Sequence, residues 1–219
     1  DERWLKLQLN KVLDNDQKII YVTGNHDPMN TLPFLESLNH KHNLIKFESD
    51  QIKVMPLMSK KQIAYNLVGV GHQSKNEQRN LIQHFPMKND DAIWIGIAHA
   101  SVPSAQSVEN KRDYMAVSLG QIENLNYDYF ALGHIHIRQM CSNKVAYSGN
   151  IQGLNVKETG NKGGYLVSVE KQQTFVEPVD FNAILWEQET LLITPETETI
   201  NELEHQIREQ ISMVLTRCN

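Results

Sequence analysis

Three short apolar runs in this sequence end in the same way, with a polar side chain that can bind a metal placed just after the run. Runs of this length and apolar content are typical of strands that are covered on both faces of a sheet. Helical patterns separate them, so the alternation predicts an α/β fold. Because ligand sites in such folds form beyond the carboxyl ends of the strands, we expect the polar tips to meet at one edge of the sheet. The runs are residues 18–22, 92–98 and 127–132, followed by Asn25, by His99, and by His134 and His136.

Composition limits the class of protein without identifying it. The chain has 219 residues, 40% of them hydrophobic, which is enough for one core and a smaller appendage. The net charge of −5 argues against DNA binding that is dominated by charge. Two cysteines, Cys141 and Cys218, give no disulfide framework. With no membrane-spanning run and no visible signal peptide, the sequence predicts a cytoplasmic protein that does not contact membranes.

The helical and strand patterns change near residue 180, where we predict a domain boundary. Residues 1–179 form the main domain, and residues 180–219 form part of a small C-terminal capping domain. Within the second segment we expect a strand at 191–193 and an amphipathic helix over about 198–216. In the first, helices are predicted at 1–15, 31–40, 76–85 and from about 114 to 122, and further strands at 44–47, 52–57, 64–70, 145–148, 164–169 and 174–178.

The chemistry of the three strand tips points to a metal. Imidazole nitrogens and an amide oxygen suit Mn²⁺, Fe²⁺ or Zn²⁺ better than Ca²⁺. Such ions polarise a phosphoryl oxygen and generate a nucleophile from water at neutral pH. His26, beside Asn25, would put a protonatable imidazole near the leaving oxygen, with Asp27 next to it. Any one of these motifs alone is explained equally well as a turn, but the three in this order indicate a catalytic centre.

Taken together, the motifs resemble the calcineurin-like metallophosphoesterase superfamily. The matching residues are Gly24 to Asp27, then His99, then Gly133 to His136. The segments 147–155 and 158–165 are more specific, and they resemble DNA repair exonucleases of the SbcD/YhaO type. This resemblance implies a four-layer αββα sandwich and phosphodiester hydrolysis of DNA in double-strand-break repair. It also implies an SMC-like coiled-coil ATPase as partner, together with DNA, and a homodimer.

The resemblance also assigns roles to individual residues. Two divalent ions are implied in the intact enzyme, Mn²⁺ foremost, with Fe, Zn and Mg as alternatives. Asn25, His99 and His134 correspond to ligands of the second ion, and His136 to a ligand of the first. The remaining two residues are catalytic: His26 corresponds to the residue that acts on the scissile phosphate or leaving group, and Asp27 orients it.

One departure from the family pattern bears on activity. The family has an earlier Asp-x-His motif and a Gly-Asp motif whose carboxylate bridges both ions, and neither occurs before residue 25. The sandwich is therefore expected to lack its first strands. Because the ligands that remain are neutral, nothing offsets two close divalent charges. We expect the chain alone to bind at most one ion weakly and to hydrolyse essentially nothing.

Substrate contacts and rival functions complete the predictions. Arg138, Ser148, Asn150 and Gln152 are candidates for substrate binding at the rim of the site, whereas His72 is expected to be structural or at the rim. Two other functions remain open at this stage. One is a phosphomonoesterase or cyclic-nucleotide phosphodiesterase on the same scaffold, and the other is a non-catalytic structural subunit.

Overall fold

The structure, a computed structural model, describes residues 2–15, 17–106, 113–170, 173–194, 197 and 199–217. Within those residues the chain alternates between helices and strands, as predicted. The helices are α1 Glu2–Asp14, α2 Leu119–Glu123 and α3 Ile200–Arg217, and short 3-10 helices cover Pro33–Ser37, Lys41–Asn43 and Leu81–His84. The strands are β1 Ile19–Val22, β2 Leu44–Phe47, β3 Lys53–Met58, β4 Ala64–Val70, β5 Ile93–His99, β6 Tyr129–Gly133, β7 Gln139–Met140, β8 Val145–Tyr147, β9 Gly163–Glu170 and β10 Gln173–Asp180.

Six of the strands form one mixed sheet in the order β3-β4-β5-β6-β8-β7. The four inner strands β4, β5, β6 and β8 run parallel, and the two edge strands are antiparallel to their neighbours. Strands β1 and β2 form a separate parallel pair, and β9 and β10 a separate antiparallel hairpin. The parallel centre of the large sheet gives all four inner strands a common carboxyl edge.

The helices and sheets stack in four layers, in the order helix–sheet–sheet–helix. This arrangement confirms the predicted α/β class. Helix α1 packs through Leu13 on the outer face of the β1–β2 pair. The inner face of that pair packs through Ile45 and Phe47 on β3, β4 and β5. The far face of the large sheet is covered by α2, through Ile122, and by the 3-10 helix that contains Ile82.

Strand β5 explains why a continuous apolar run was needed. Trp94 and Ala98 face the core shared with α2, whereas Ile95 and Ile97 face the β1–β2 pair. Because successive side chains of a strand point to opposite faces, both faces of β5 require apolar residues. The strand therefore delivers His99 to a fixed position at the sheet edge.

Several predicted helices are shorter than the sequence suggested. The segment 76–85 forms only the 3-10 helix Leu81–His84, which Asn80 caps by accepting from the Gln83 N–H. The segment 31–40 likewise forms a single 3-10 helix, with Pro33 at its start. The helix expected to reach about residue 122 is α2, only five residues long, and a capping box at Ser118 begins it.

The C-terminal segment differs from its prediction in one respect. Residues 191–193 form no strand in the described part of the chain, and Leu192 is 79% exposed with no neighbouring strand to pair with. The predicted helix is present as Ile200–Arg217, while residue 198 lies outside the described residues. Residues up to Trp186 still hydrogen-bond to the loop around Gly153, so the boundary near 180 stays a prediction.

Candidate metal centre

Parallel pairing brings two of the polar tips side by side. His99, the last residue of β5, is paired in register with Gly133, the last residue of β6. His134 follows immediately, and its imidazole centroid lies 5.3 Å from that of His99. Asn25 arrives from the turn after β1, and its Oδ1 lies 2.7 Å from His99 Nε2. The structure therefore brings Asn25, His99 and His134 together at the carboxyl edge, as the strand pattern predicts.

The hydrogen bond between His99 and Asn25 fixes a tautomer. An amide oxygen only accepts, so His99 Nε2 carries the proton and donates it to Asn25 Oδ1. The same two atoms are the donor atoms that a metal ion would require. An ion held by these two atoms would take the place of this hydrogen bond, and the His99 ring would then carry its proton on Nδ1.

Two glycines allow the backbone to approach the His99 ring closely. A Cβ on Gly24 would lie 2.6 Å from the His99 Nδ1 and Cε1 atoms, and a Cβ on Gly133 would lie 2.9 Å from Nδ1. Both distances are too short for a real side chain. The glycines of the two motifs are thus explained by close approach rather than by unusual φ angles. It is His134, with φ of 105°, that adopts the left-handed region.

A cavity of about 320 Å³ opens over this cluster, and it is lined by Asn25, His26, His99, Tyr114, Gly133, His134, Ile135, His136 and Gly149. His26 is exposed at this cavity, where the sequence predicts a proton donor. Tyr114 was not singled out from the sequence. Its ring contacts the His134 ring edge-on, with centroids 5.5 Å apart. Tyr114 reaches the site from a loop, and no local motif predicts such a contact.

Asp27 binds its own turn. Its carboxylate accepts from the Tyr21 hydroxyl at 2.8 Å and from the Gly24 N–H at 3.0 Å. Burial, followed by the hydrogen bond to Asp27, raises the pKa of Tyr21 and keeps that hydroxyl protonated. Asp27 therefore holds the turn that carries Asn25, and its predicted role in orienting His26 stays a prediction.

His72 lies behind the cluster and is fully buried. Its Nε2 donates to the His99 carbonyl at 2.7 Å, and its own carbonyl accepts from the Thr23 hydroxyl and the Met29 N–H. Burial lowers the pKa of His72, which keeps the ring neutral. His72 thus joins the end of β5 to both sides of the Asn25 turn, in agreement with a structural role.

The fourth predicted ligand, His136, is held by a carboxylate. Its Nδ1 lies 2.8 Å from Glu158 Oε1, and Glu158 is only 8% exposed. The second carboxylate oxygen accepts from the Leu154 N–H at 2.8 Å. Burial opposes ionisation of Glu158, but the Leu154 N–H and the His136 ring together bring its pKa below the usual value. Glu158 lies within segment 158–165, but no local motif singles it out as a functional residue.

None of the four predicted substrate residues is among the described residues that line the cavity. Arg138 pairs with Asp180 at 2.6 Å and donates to the Val179 carbonyl. The Gln152 side chain bonds to backbone groups of Gly153, Ala183 and Ile184. Asn150 has a buried Oδ1 without a hydrogen-bond partner, and Ser148 is exposed. Their contact with substrate stays a prediction.

The donor set suits one transition-metal ion. Asn25, His99 and His134 supply an amide oxygen and two imidazoles, which Mn²⁺, Fe²⁺ and Zn²⁺ accept. Within the described residues, no group of three or more histidine, cysteine, aspartate or glutamate side chains could hold a metal, and the cavity lining contains no carboxylate. None of the described donors at the cavity is therefore a carboxylate.

The fold and this edge cluster define a metal-dependent phosphoesterase scaffold. The sequence profile of the calcineurin-like phosphoesterases matches residues 1–138, and the chain belongs to that family. Hydrolysis of phosphate esters with divalent metals is the activity that this membership supports. The chain is also 26% identical, over 194 residues, to an uncharacterized metallophosphoesterase of Bacillus subtilis strain 168, YhaO.

That match covers 87% of this chain and 46% of the relative, so the chain spans about half of the relative's length. Among the described helices, none combines the length and the apolar character that crossing a membrane requires.

Proposed function

We propose that this chain carries part of the active centre of a DNA exonuclease that acts in double-strand-break repair with an SMC-like coiled-coil ATPase. The observation that carries the proposal is the meeting of Asn25, His99 and His134 at one sheet edge. The choice of DNA is supported by the resemblance of segments 147–155 and 158–165 to SbcD-like nucleases. A cavity of about 320 Å³ suits one nucleotide at a strand end better than an intact duplex.

We assign the residues around the cavity separate roles in the proposed hydrolysis. Asn25, His99 and His134 would hold one divalent ion, with Mn²⁺ foremost, and His136 would face the other. Such ions, when bound, polarise a phosphoryl oxygen and activate water. His26, exposed at the cavity, would give a proton to the leaving oxygen. Tyr114, whose ring lies against His134, would bound the space that the substrate enters.

The net charge of −5 bears on the affinity of this chain for DNA and on the role of the proposed ATPase partner. A weakly acidic chain does not attract DNA strongly by itself. We therefore propose that the ATPase partner supplies much of the DNA affinity and presents a strand end to the cavity. The 219-residue chain alone is proposed to bind at most one ion weakly and to hydrolyse essentially nothing, because its described donors are neutral.

The test uses the full-length product of the gene that encodes this chain, with Mn²⁺ and three substrates: end-labelled linear duplex, p-nitrophenyl phosphate and a cyclic nucleotide. We expect the duplex to be degraded from its ends in preference to the small phosphoesters. The variants His99→Ala and His134→Ala should each lose at least about 100-fold in rate. His205→Ala, on exposed α3, is the matched control and should retain full activity.

Two results would contradict the proposal. The first is rapid turnover of the small esters with intact duplex, which would indicate a phosphomonoesterase or cyclic-nucleotide phosphodiesterase. The second is equal activity of His99→Ala and His205→Ala. Strong Mn²⁺-dependent cleavage of bis-p-nitrophenyl phosphate by the 219-residue chain alone would refute only the expectation that this chain is inactive.

A further inference from the structure

The loop between β8 and β9, residues 148–162, ends one side of the cavity and bears a buried carboxylate. Its Gly149 packs against the turn that carries His136, since a Cβ there would lie 2.8 Å from the His136 carbonyl. The Asn150 N–H donates to that same carbonyl at 3.2 Å. Backbone contacts alone therefore hold the loop against the segment that carries His136, the predicted ligand.

Glu158 is built into this loop rather than placed on its surface. Its N–H donates to the Asn155 carbonyl at 3.0 Å, which closes a turn, and its carbonyl lies 2.6 Å from where a Gly153 Cβ would stand. One carboxylate oxygen accepts from the Leu154 N–H and the other from His136 Nδ1. Burying a carboxylate is costly unless it is hydrogen-bonded, and here both oxygens are satisfied.

A second histidine–glutamate pair in the chain provides a comparison. His205 and Glu209 lie 3.4 Å apart on α3, with side chains 72% and 58% exposed. That pair has the geometry of a solvated surface contact, which contributes little. The pair at the cavity is closer, at 2.8 Å, and its glutamate side chain is only 10% exposed. Burial and the second hydrogen bond give Glu158 a fixed position that a surface pair lacks.

From this geometry we infer that Glu158 is the positioning residue for His136. By accepting a hydrogen bond from Nδ1, it keeps the proton on that nitrogen and leaves the lone pair of Nε2 available to a metal ion at the cavity. The two ring nitrogens of an imidazole point in divergent directions, so a ring bound through Nδ1 presents Nε2 away from its partner. A carboxylate in this place fixes the tautomer and the orientation of the ring. The inference rests on the proposed function only for the identity of what His136 meets.

The deciding measurement needs neither metal nor DNA. In the 219-residue chain, long-range ¹H–¹⁵N correlation spectra of the histidine rings, recorded at about pH 8, report which nitrogen of a neutral ring carries the proton. We expect His136 to be in the Nδ1–H form. In Glu158→Gln the single amide oxygen must serve either His136 or Leu154, so a substantial Nε2–H fraction is expected. The matched control Glu209→Gln should leave the His136 ring signals unchanged.

Urea unfolding of each variant checks that the fold is retained.

Two results would overturn the inference: an Nε2–H or doubly protonated His136 ring in the wild type, or a Glu158→Gln spectrum identical to that of the wild type. A failed nuclease assay would leave the tautomer result standing, so the two proposals fail separately.

Discussion

Replacing Gly24 by alanine tests the packing on which the metal centre depends. The new Cβ would lie 2.6 Å from two atoms of the His99 ring and 2.8 Å from a third. Carbon contacts are favourable near about 3.5–4.0 Å, so ring and backbone must separate by roughly 1 Å. The His99 ring has little room to yield, because the imidazoles of His72 and His134 lie at centroid distances of 5.2 and 5.3 Å.

The expected cost follows from two contributions. Overpacking a close-packed site costs about 1–3 kcal/mol. A shift of this size also breaks the 2.7 Å hydrogen bond from His99 to Asn25, which contributes about 1 kcal/mol. We therefore expect Gly24→Ala to lower the free energy of unfolding by about 2–4 kcal/mol. In the full-length enzyme, a displacement of this size should reduce the rate by about 100-fold.

Two further glycines calibrate the experiment. A Cβ on Gly133 meets the His99 ring at 2.9 Å, a less severe contact, so Gly133→Ala should fall between Gly24→Ala and the wild type. Gly120 lies in α2 with no atom within 4 Å of a Cβ. Gly120→Ala should therefore stabilise the protein by about 0.5–1 kcal/mol through helix propensity and reduced unfolded-state entropy.

Urea unfolding followed by tryptophan fluorescence measures the stabilities, and the His99 ring signals report the local displacement. If Gly24→Ala were as stable as Gly120→Ala and left the His99 signals in place, the close approach of this backbone to His99 would be wrong. The explanation of both motif glycines would then fail with it.

Two other changes test the surroundings of the site. Tyr147 is fully buried and bridges two backbone groups, because it donates to the Ala100 carbonyl and accepts from the Val102 N–H. Tyr147→Phe should lower the free energy of unfolding, measured with urea, by about 1–3 kcal/mol. An unchanged free energy of unfolding would refute this bridging role. The Arg79 hydrogen bond holds the pKa of buried Glu77 below its usual value. The ionised carboxylate therefore stabilises the fold above about pH 4.5. This stabilisation is lost as the pH falls through the lower pKa of Glu77 in the folded protein. Glu77→Gln should cost about 1 kcal/mol at neutral pH and flatten the acid limb of the stability curve; an unchanged acid limb would contradict the sign.

The strand-tip residues could be predicted from sequence because their placement follows from topology. His99 and His134 each come directly after a strand of the parallel centre, and neighbouring parallel strands share one carboxyl edge. Asn25 follows a strand of the smaller sheet. It reaches the same edge because the pair β1–β2 packs through Phe47 on strands β3, β4 and β5 of the large sheet.

Features that depend on loops were beyond the sequence pattern. Tyr114 contacts the His134 ring from a bend that precedes α2, although the sequence predicted a helix from about residue 114. The helix predicted over 76–85 is only the 3-10 helix Leu81–His84, in which Leu81 and Ile82 are buried. The segment 191–193 has the apolar residues of a strand but pairs with no strand in the part of the chain that the structure describes. Composition alone therefore favours an element that the surrounding structure does not complete.

Glu158 changes how the electrostatics of the site are understood. The donors Asn25, His99 and His134 are neutral, so they do nothing to offset the charge of a divalent ion. Glu158 is separated from the cavity by one imidazole, because its oxygen binds His136 Nδ1 while His136 lines the cavity. Polarised through that hydrogen bond, the ring carries part of the carboxylate charge to its far nitrogen. The loop of residues 148–162 thus contributes to the proposed metal centre from behind His136, which explains why a carboxylate is buried there at a cost.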